Sequence, residues 1–161
     1  MFRAIMMPVV RTLCPADTGQ IAQIAGELDN FTVPPAYVIW MLCETQGSLC
    51  LVAEDSAGKV VAYMLALMTA SPSTVFIWQL GVLPNSELDV TSAKGLYLIC
   101  ERALAIWRSH SVHHIWFTSS SDRAIALISR LAEDLAGAIP VPQTPTWPAP
   151  CGNERLYLLT I

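Results

Sequence analysis

The chain has 161 residues, 53% of them apolar and 14% charged, with a formal net charge of −4 at pH 7. That length fits one domain spanning residues 1–161, able to bury roughly two-thirds of the surface of its unfolded chain. Nine basic residues scattered along an acidic chain argue against a nucleic-acid or anionic-membrane surface. The longest unbroken apolar run, Val60–Met68, falls well short of the roughly 18 residues a membrane-spanning helix needs.

Met1–Pro8 lacks the apolar core and cleavage site of a secretion signal, so a cytoplasmic protein is expected. Cys14, Cys43, Cys50, Cys100 and Cys151 are odd in number and form no C-x-x-C pair, which fits reduced, mostly buried thiols. Val9 to Thr12 reads as a short strand. Asp17 is placed to cap a helix over Thr18 to Leu28, where Ile21, Ile24, Ala25 and Leu28 recur at helical spacing. Asp29-Asn30 ends it, and Pro34-Pro35 opens a second helix carrying Tyr37 to Cys43.

Three strands follow: Ser48 to Glu54, Lys59 to Thr69 and Thr74 to Val82, separated by turns at Asp55–Gly58 and Ser71–Ser73. The near-continuous Val, Leu, Met and Ala of the middle strand imply burial on both faces, hence helices on each side of a sheet. Ala93 to Ser109 reads as a helix with Leu96, Ile99, Cys100, Ala103, Leu104 and Trp107 on one stripe. A strand at His114 to Thr118 comes next, then a helix capped by Asp122 and stopped at Gly137. Pro140 to Pro150 holds five prolines in eleven residues, so residues 139–152 read as an extended loop before a closing strand at Arg155 to Ile161. The order is β-α-α-β-β-β-α-β-α-β in one α/β domain.

Four segments of this order resemble the GNAT N-acetyltransferase superfamily, and within it they look closest to the diaminobutyrate acetyltransferases. Leu28-Asp29-Asn30 with Tyr37 and Leu42-Cys43 is similar to the family's L-D-x-N-S-x-Y-x-Y-L-L-L-C segment. Leu51 to Glu54 with Val60 to Tyr63 resembles its hairpin, and Val75-Phe-Ile-Trp-Gln-Leu-Gly-Val82 its F-V-W-Q-V-A-V strand. Ser119 to Asp122 with Ala126 to Ala132 looks like its T-x-D-N-x-A-S segment and the helix that follows.

The resemblance implies an α+β fold with a mixed, mostly antiparallel central sheet and helices on both faces. It also implies an acetyl-CoA co-substrate, no metal, and transfer of the acetyl group to a small amine. Backbone groups of Leu80, Gly81 and Val82 would pair with the pantetheine arm, one N–H polarising the thioester carbonyl. Lys94, Gly95 and Leu96 would cradle the pyrophosphate where a helix opens. Asp29, Asn30, Trp78 and Gln79 would line the acceptor pocket. Because strand residues alternate, one of Trp78 and Gln79 is expected to face it.

The chain also departs from the family pattern. In the hexapeptide Ser92-Ala-Lys-Gly-Leu-Tyr97, Ser92 replaces an Arg or Gln and Tyr97 replaces a small residue, whose ring would crowd phosphate oxygens unless it turns away. Glu87 and Asp89 put like charge near an anion, Arg123 replaces an Asn, and Leu127-Ile128 offers no tyrosine to protonate the thiolate. Glu44 and His114 are weaker acid–base candidates, and the spacing of His110, His113 and His114 does not build a tetrahedral metal site. No base is identified. These departures leave a second reading open: an acetyltransferase-like binding or regulatory module without catalysis. A homodimer interface would absorb the excess apolar surface under either reading.

Overall fold

The computed structural model describes residues 7–29, 31–84, 90–144 and 154–161. Its strands are β1 (Val9–Thr12), β2 (Leu51–Glu54), β3 (Val60–Met68), β4 (Thr74–Val82), β5 (His114–Ser119), β6 (Val141–Gln143) and β7 (Arg155–Thr160). The helices are α1 (Thr18–Glu27), α2 (Ala36–Gln46), α3 (Val90–Ser109) and α4 (Asp122–Ala136). The strands form one seven-stranded sheet in the order β1-β2-β3-β4-β5-β7-β6. Every pairing is antiparallel except β4 with β5. A mixed, mostly antiparallel sheet is thus confirmed.

The apolar run of β3 is buried from Val60 to Ala66 because it has a core on each face. On one face Met64 and Ala66 pack with Leu96, Ile99, Leu104 and Trp107 of α3 and Ala132 of α4. On the other face Tyr63 and Leu65 pack with Ile21 and Ile24 of α1 and Ile39 and Leu42 of α2. Fully burying one such aliphatic side chain contributes roughly 1.5–3 kcal/mol. Four cysteines are free thiols among the described residues, and Cys151 lies outside them. Burial pushes the Cys50 thiol up to about 11 and the Cys100 thiol up to about 12, so both stay protonated and inert at neutral pH.

Several boundaries differ from the expected ones, each for a local reason. Asp17 precedes α1 but makes no side-chain cap there. Its carboxylate accepts from Arg11 Nη1 and Nη2 at 2.9 and 2.8 Å and from the Cys14 backbone N–H at 2.9 Å, serving the 3-10 turn Pro15–Asp17 instead. Ser121, rather than Asp122, caps α4 by accepting from the Ala124 N–H at 3.2 Å. Asp122 instead pairs with Arg155. Gly137 closes α4 in the left-handed region at φ 65°, as expected of a glycine stop. The segment read wholly as loop contains the short strand β6, which extends the sheet through β7. α3 begins at Val90, three residues before the expected Ala93.

Candidate active site

The site arises where β4 parts from β5 while staying paired with β3. Across β3, Leu65 lies opposite Gln79 and Ala66 opposite Ile77, so Trp78 is an extra residue: a β-bulge. On its other side β4 pairs with β5 only from Thr74–His114 to Ile77–Phe117. Beyond Ile77, β5 continues along β7 alone as far as Ser119. The two strands therefore part at the bulge, and on that side the backbone edge of β4 from Trp78 onward has no strand beside it among the described residues.

A cleft of about 860 Å³ opens at that gap and runs back along β4 to Thr74 and the β3–β4 turn, with Trp78, Gln79 and Leu80 on one wall and Trp116, Thr118 and Ser119 on the other. The α1–α2 connection contributes Asp29, Phe31 and Thr32, and the segments flanking β6 and β7 contribute Thr144 and Glu154. Beneath it, between the sheet, α3 and α4, lies a second, apolar cavity of about 50 Å³. Ile77, Leu80, Phe117 and Ile128 line both.

Strand alternation would bring one of Trp78 and Gln79 to the pocket, and the bulge brings both. An extra residue interrupts the alternation of side chains, so both line the cleft. Both also face the α1–α2 side: Trp78 packs on the Tyr63 core, and Gln79 is joined to Tyr63 itself. The Tyr63 hydroxyl donates to Gln79 Oε1 at 3.0 Å, and Gln79 Nε2 donates to the Thr32 carbonyl at 2.7 Å. Gln79 is 7% exposed and acts as a clasp that pins the α1–α2 connection to the sheet. Burial pushes the Tyr63 phenol well above its ordinary range, so it stays a proton donor.

Next along β4, Gly81 stands opposite Tyr63. A Cβ at Gly81 would lie 2.3 Å from Tyr63 Cε1, so the glycine is what admits the ring. Leu80 lines the cleft, whereas Gly81 and Val82 lie beyond its lining.

The proposed phosphate residues occupy α3, twelve to fourteen residues past the end of β4 and already inside the helix. Gly95 and Leu96 are buried against the sheet. A Cβ at Gly95 would meet Val61 Cγ2 at 3.0 Å and Ala53 Cβ at 3.1 Å, so close helix–sheet packing accounts for this glycine. Lys94 is half-buried and the Tyr97 ring is 40% exposed, turned away from the core. α3 starts at Val90, so Lys94, Gly95 and Leu96 are its fifth to seventh residues rather than its opening turn.

Asp29 lines the cleft and is exposed, while Asn30, Glu87 and Asp89 lie outside the described residues. Glu44 is exposed on α2 and does not line the cleft. His114 begins β5 beside Thr74 and does not line the cleft, with Nδ1 3.5 Å from Thr160 Oγ1. His110 Nδ1 lies 2.8 Å from the Ile106 carbonyl at the end of α3. Neither reaches the site. No group of three or more metal-ligating side chains occurs among the described residues. No helix among them is long and apolar enough to cross a membrane.

Sequence reasoning missed Glu154, Phe31, Phe76 and Trp116, all on the cleft. Trp116 and Thr118 sit two apart on β5, the period of one strand face, which was a usable signal. Nothing in the loop sequence pointed to Glu154.

No protein-family model matches the chain. An L-2,4-diaminobutyric acid acetyltransferase of Bordetella parapertussis is 30% identical over 67 residues, covering 41% of this chain. That match spans only 36% of the length of the relative. The solved diaminobutyrate acetyltransferase of Paenibacillus lautus, in complex with its substrate and coenzyme A, superposes with a TM-score of 0.70 at 17% identity. It is matched over 96% of this chain and 95% of its own. Ard1 of Thermoplasma volcanium is similar at a TM-score of 0.69 and 17% identity, covering 96% of this chain and 97% of that one. A putative acetyltransferase of Salmonella typhimurium, solved with acetyl-CoA, gives 0.64 at 19% identity over 96% and 92%.

Proposed function

The chain has the fold of the GNAT acetyltransferases, and from it we propose that the protein is an acyl-CoA-dependent N-acetyltransferase acting on a small amine. The observation that carries the reading is the parting of β4 and β5 at the Trp78 bulge, which opens a cleft along an unpaired backbone edge. That edge can hold an extended amide-bearing chain such as pantetheine by strand-like hydrogen bonds, and the turn of the bulge can aim an N–H at a thioester carbonyl. The coenzyme A and acetyl-CoA held by proteins of similar fold support this choice of co-substrate.

In the reaction a neutral amine nitrogen attacks the thioester carbon, and the carbonyl electrons collect on oxygen, where an edge N–H stabilises them. The C–S bond then breaks as the carbonyl re-forms. The nitrogen releases a proton and the thiolate takes one up. Asp29 and Glu154 are the carboxylates lining the cleft that can accept the amine's proton, directly or through water. No tyrosine lines the cleft among the described residues, and water is the proton donor assigned to the thiolate in this reading. The pyrophosphate is assigned to the first turn of α3, with Lys94 as the adjacent cation. The exposed apolar side chains of α2 (Tyr37, Trp40 and Met41) support homodimerisation, which sedimentation at several concentrations measures.

The test is titration calorimetry with acetyl-CoA, followed by thiol release in the presence of amines. Micromolar binding and amine-dependent thiol release are expected. No heat at millimolar acetyl-CoA overturns the reading in favour of a binding module without catalysis.

A further inference from the structure

Two titratable side chains line the cleft, and both are carboxylates: Asp29 on the α1–α2 connection and Glu154 just before β7. No Lys, Arg or His lines it among the described residues. Residue 30 is Asn, and the stretch 145–153, which joins lining residues Thr144 and Glu154, contains no charged residue. Two arginines adjoin lining residues in sequence: Arg155 pairs with Asp122, and exposed Arg123 does not line the cleft.

A second observation is independent of the carboxylates. Phe31, Phe76, Trp78 and Trp116 line the same cleft from three different elements. Aromatic faces attract an ammonium through the ring quadrupole and give nothing to a carboxylate. Rings and acids together make a site for positive charge with no counter-ion for a negative group.

We propose that the acceptor is a small diamine or polyamine without a carboxylate, one nitrogen deprotonated for attack and another held as an ammonium by Asp29, Glu154 and the aromatic wall. This rests on the acetyltransferase reading and narrows it. It departs from the diaminobutyrate of the similar solved structure. An amino-acid acceptor would bring its own carboxylate into a cleft that already holds two.

The test compares 1,3-diaminopropane with 2,4-diaminobutyrate, which share a carbon–nitrogen skeleton and differ by one carboxylate. Thiol release from acetyl-CoA is followed for the intact chain, with propylamine as the one-nitrogen reference. The expected result is a kcat/KM at least ten-fold higher for 1,3-diaminopropane than for either other amine, with the margin shrinking as salt screens the carboxylates. Glu154→Gln is expected to raise KM for 1,3-diaminopropane by a factor severalfold larger than it raises KM for propylamine; equal factors would overturn the inference. A 2,4-diaminobutyrate rate equal to or above that of the diamine overturns the inference and leaves the acetyltransferase reading standing. Turnover with peptide N-termini alone does the same. Absence of acetyl-CoA binding by calorimetry overturns both.

Discussion

Tyr63 and Gly81 face each other across β3 and β4, and the ring occupies the space a side chain at residue 81 would need. Gly81→Ala therefore has to displace a fully buried ring and strain its bond to Gln79. Overpacking of this kind costs about 1–3 kcal/mol, which is measured as a fall in the urea midpoint at unchanged slope. In a Tyr63→Ala background the added methyl has room, and its cost should drop by more than half; an unchanged cost would show that the ring is not the obstacle. Asp17 carries a second prediction. Burial alone would raise its carboxyl pKa, but the Arg11 side chain and the Cys14 N–H outweigh that and hold it below its ordinary 3.8. A carboxyl depressed in the folded state contributes stability that is fully present above the unfolded value and is lost as pH falls through the folded one. Asp17→Asn should thus be less stable at pH 7 and lose less on acidification below about pH 4 than the parent, as read from melting temperature against pH.

At the scale of elements, the start of α3 decides how the cofactor hypothesis can be probed. Gly95 looks from sequence like a phosphate-loop glycine, but its neighbours are Val61 and Ala53 of the sheet. Gly95→Ala gains up to about 1 kcal/mol of helix propensity and loses about 1–3 to overpacking, a net destabilisation. Gly95→Glu buries an unpaired charge and should unfold the protein, so it cannot report on the cofactor alone. Lys94→Glu is the cleaner variant because residue 94 is half-buried near the helix start. It should weaken coenzyme A binding about ten-fold through lost attraction and added repulsion, with the melting temperature within about 2 °C of the parent. Unchanged affinity would move the pyrophosphate away from this turn. Similarly, Gln79→Ala frees the α1–α2 connection from its bond to Thr32. Faster hydrogen exchange at residues 28–35 is expected, with β3 still protected.

For the whole molecule, the strand and helix order was legible because each apolar period is strong: alternating or continuous in the strands, one stripe in α3. The face-to-face arrangement followed from the doubly buried β3. The opening of the cleft was less legible, since a bulge depends on how two strands pair and leaves no mark on either alone. The cleft lining was legible at Asp29, Trp78 and Gln79, which sit in the segments of resemblance, and not at Glu154, which the return of β7 brings in. This architecture makes a global prediction. A donor held between β4, β5 and the start of α3 touches elements packed on one shared core, so binding must register as stability of the entire domain. At acetyl-CoA a hundred-fold above its dissociation constant the gain is about 2.7 kcal/mol. For a chain of this size each kcal/mol shifts the melting temperature by roughly 2–4 °C, so a rise of about 5–10 °C is expected in a single transition. A split transition would mean that β5, α4 and β7 unfold apart from the rest, and then the cleft would join two units rather than belong to one.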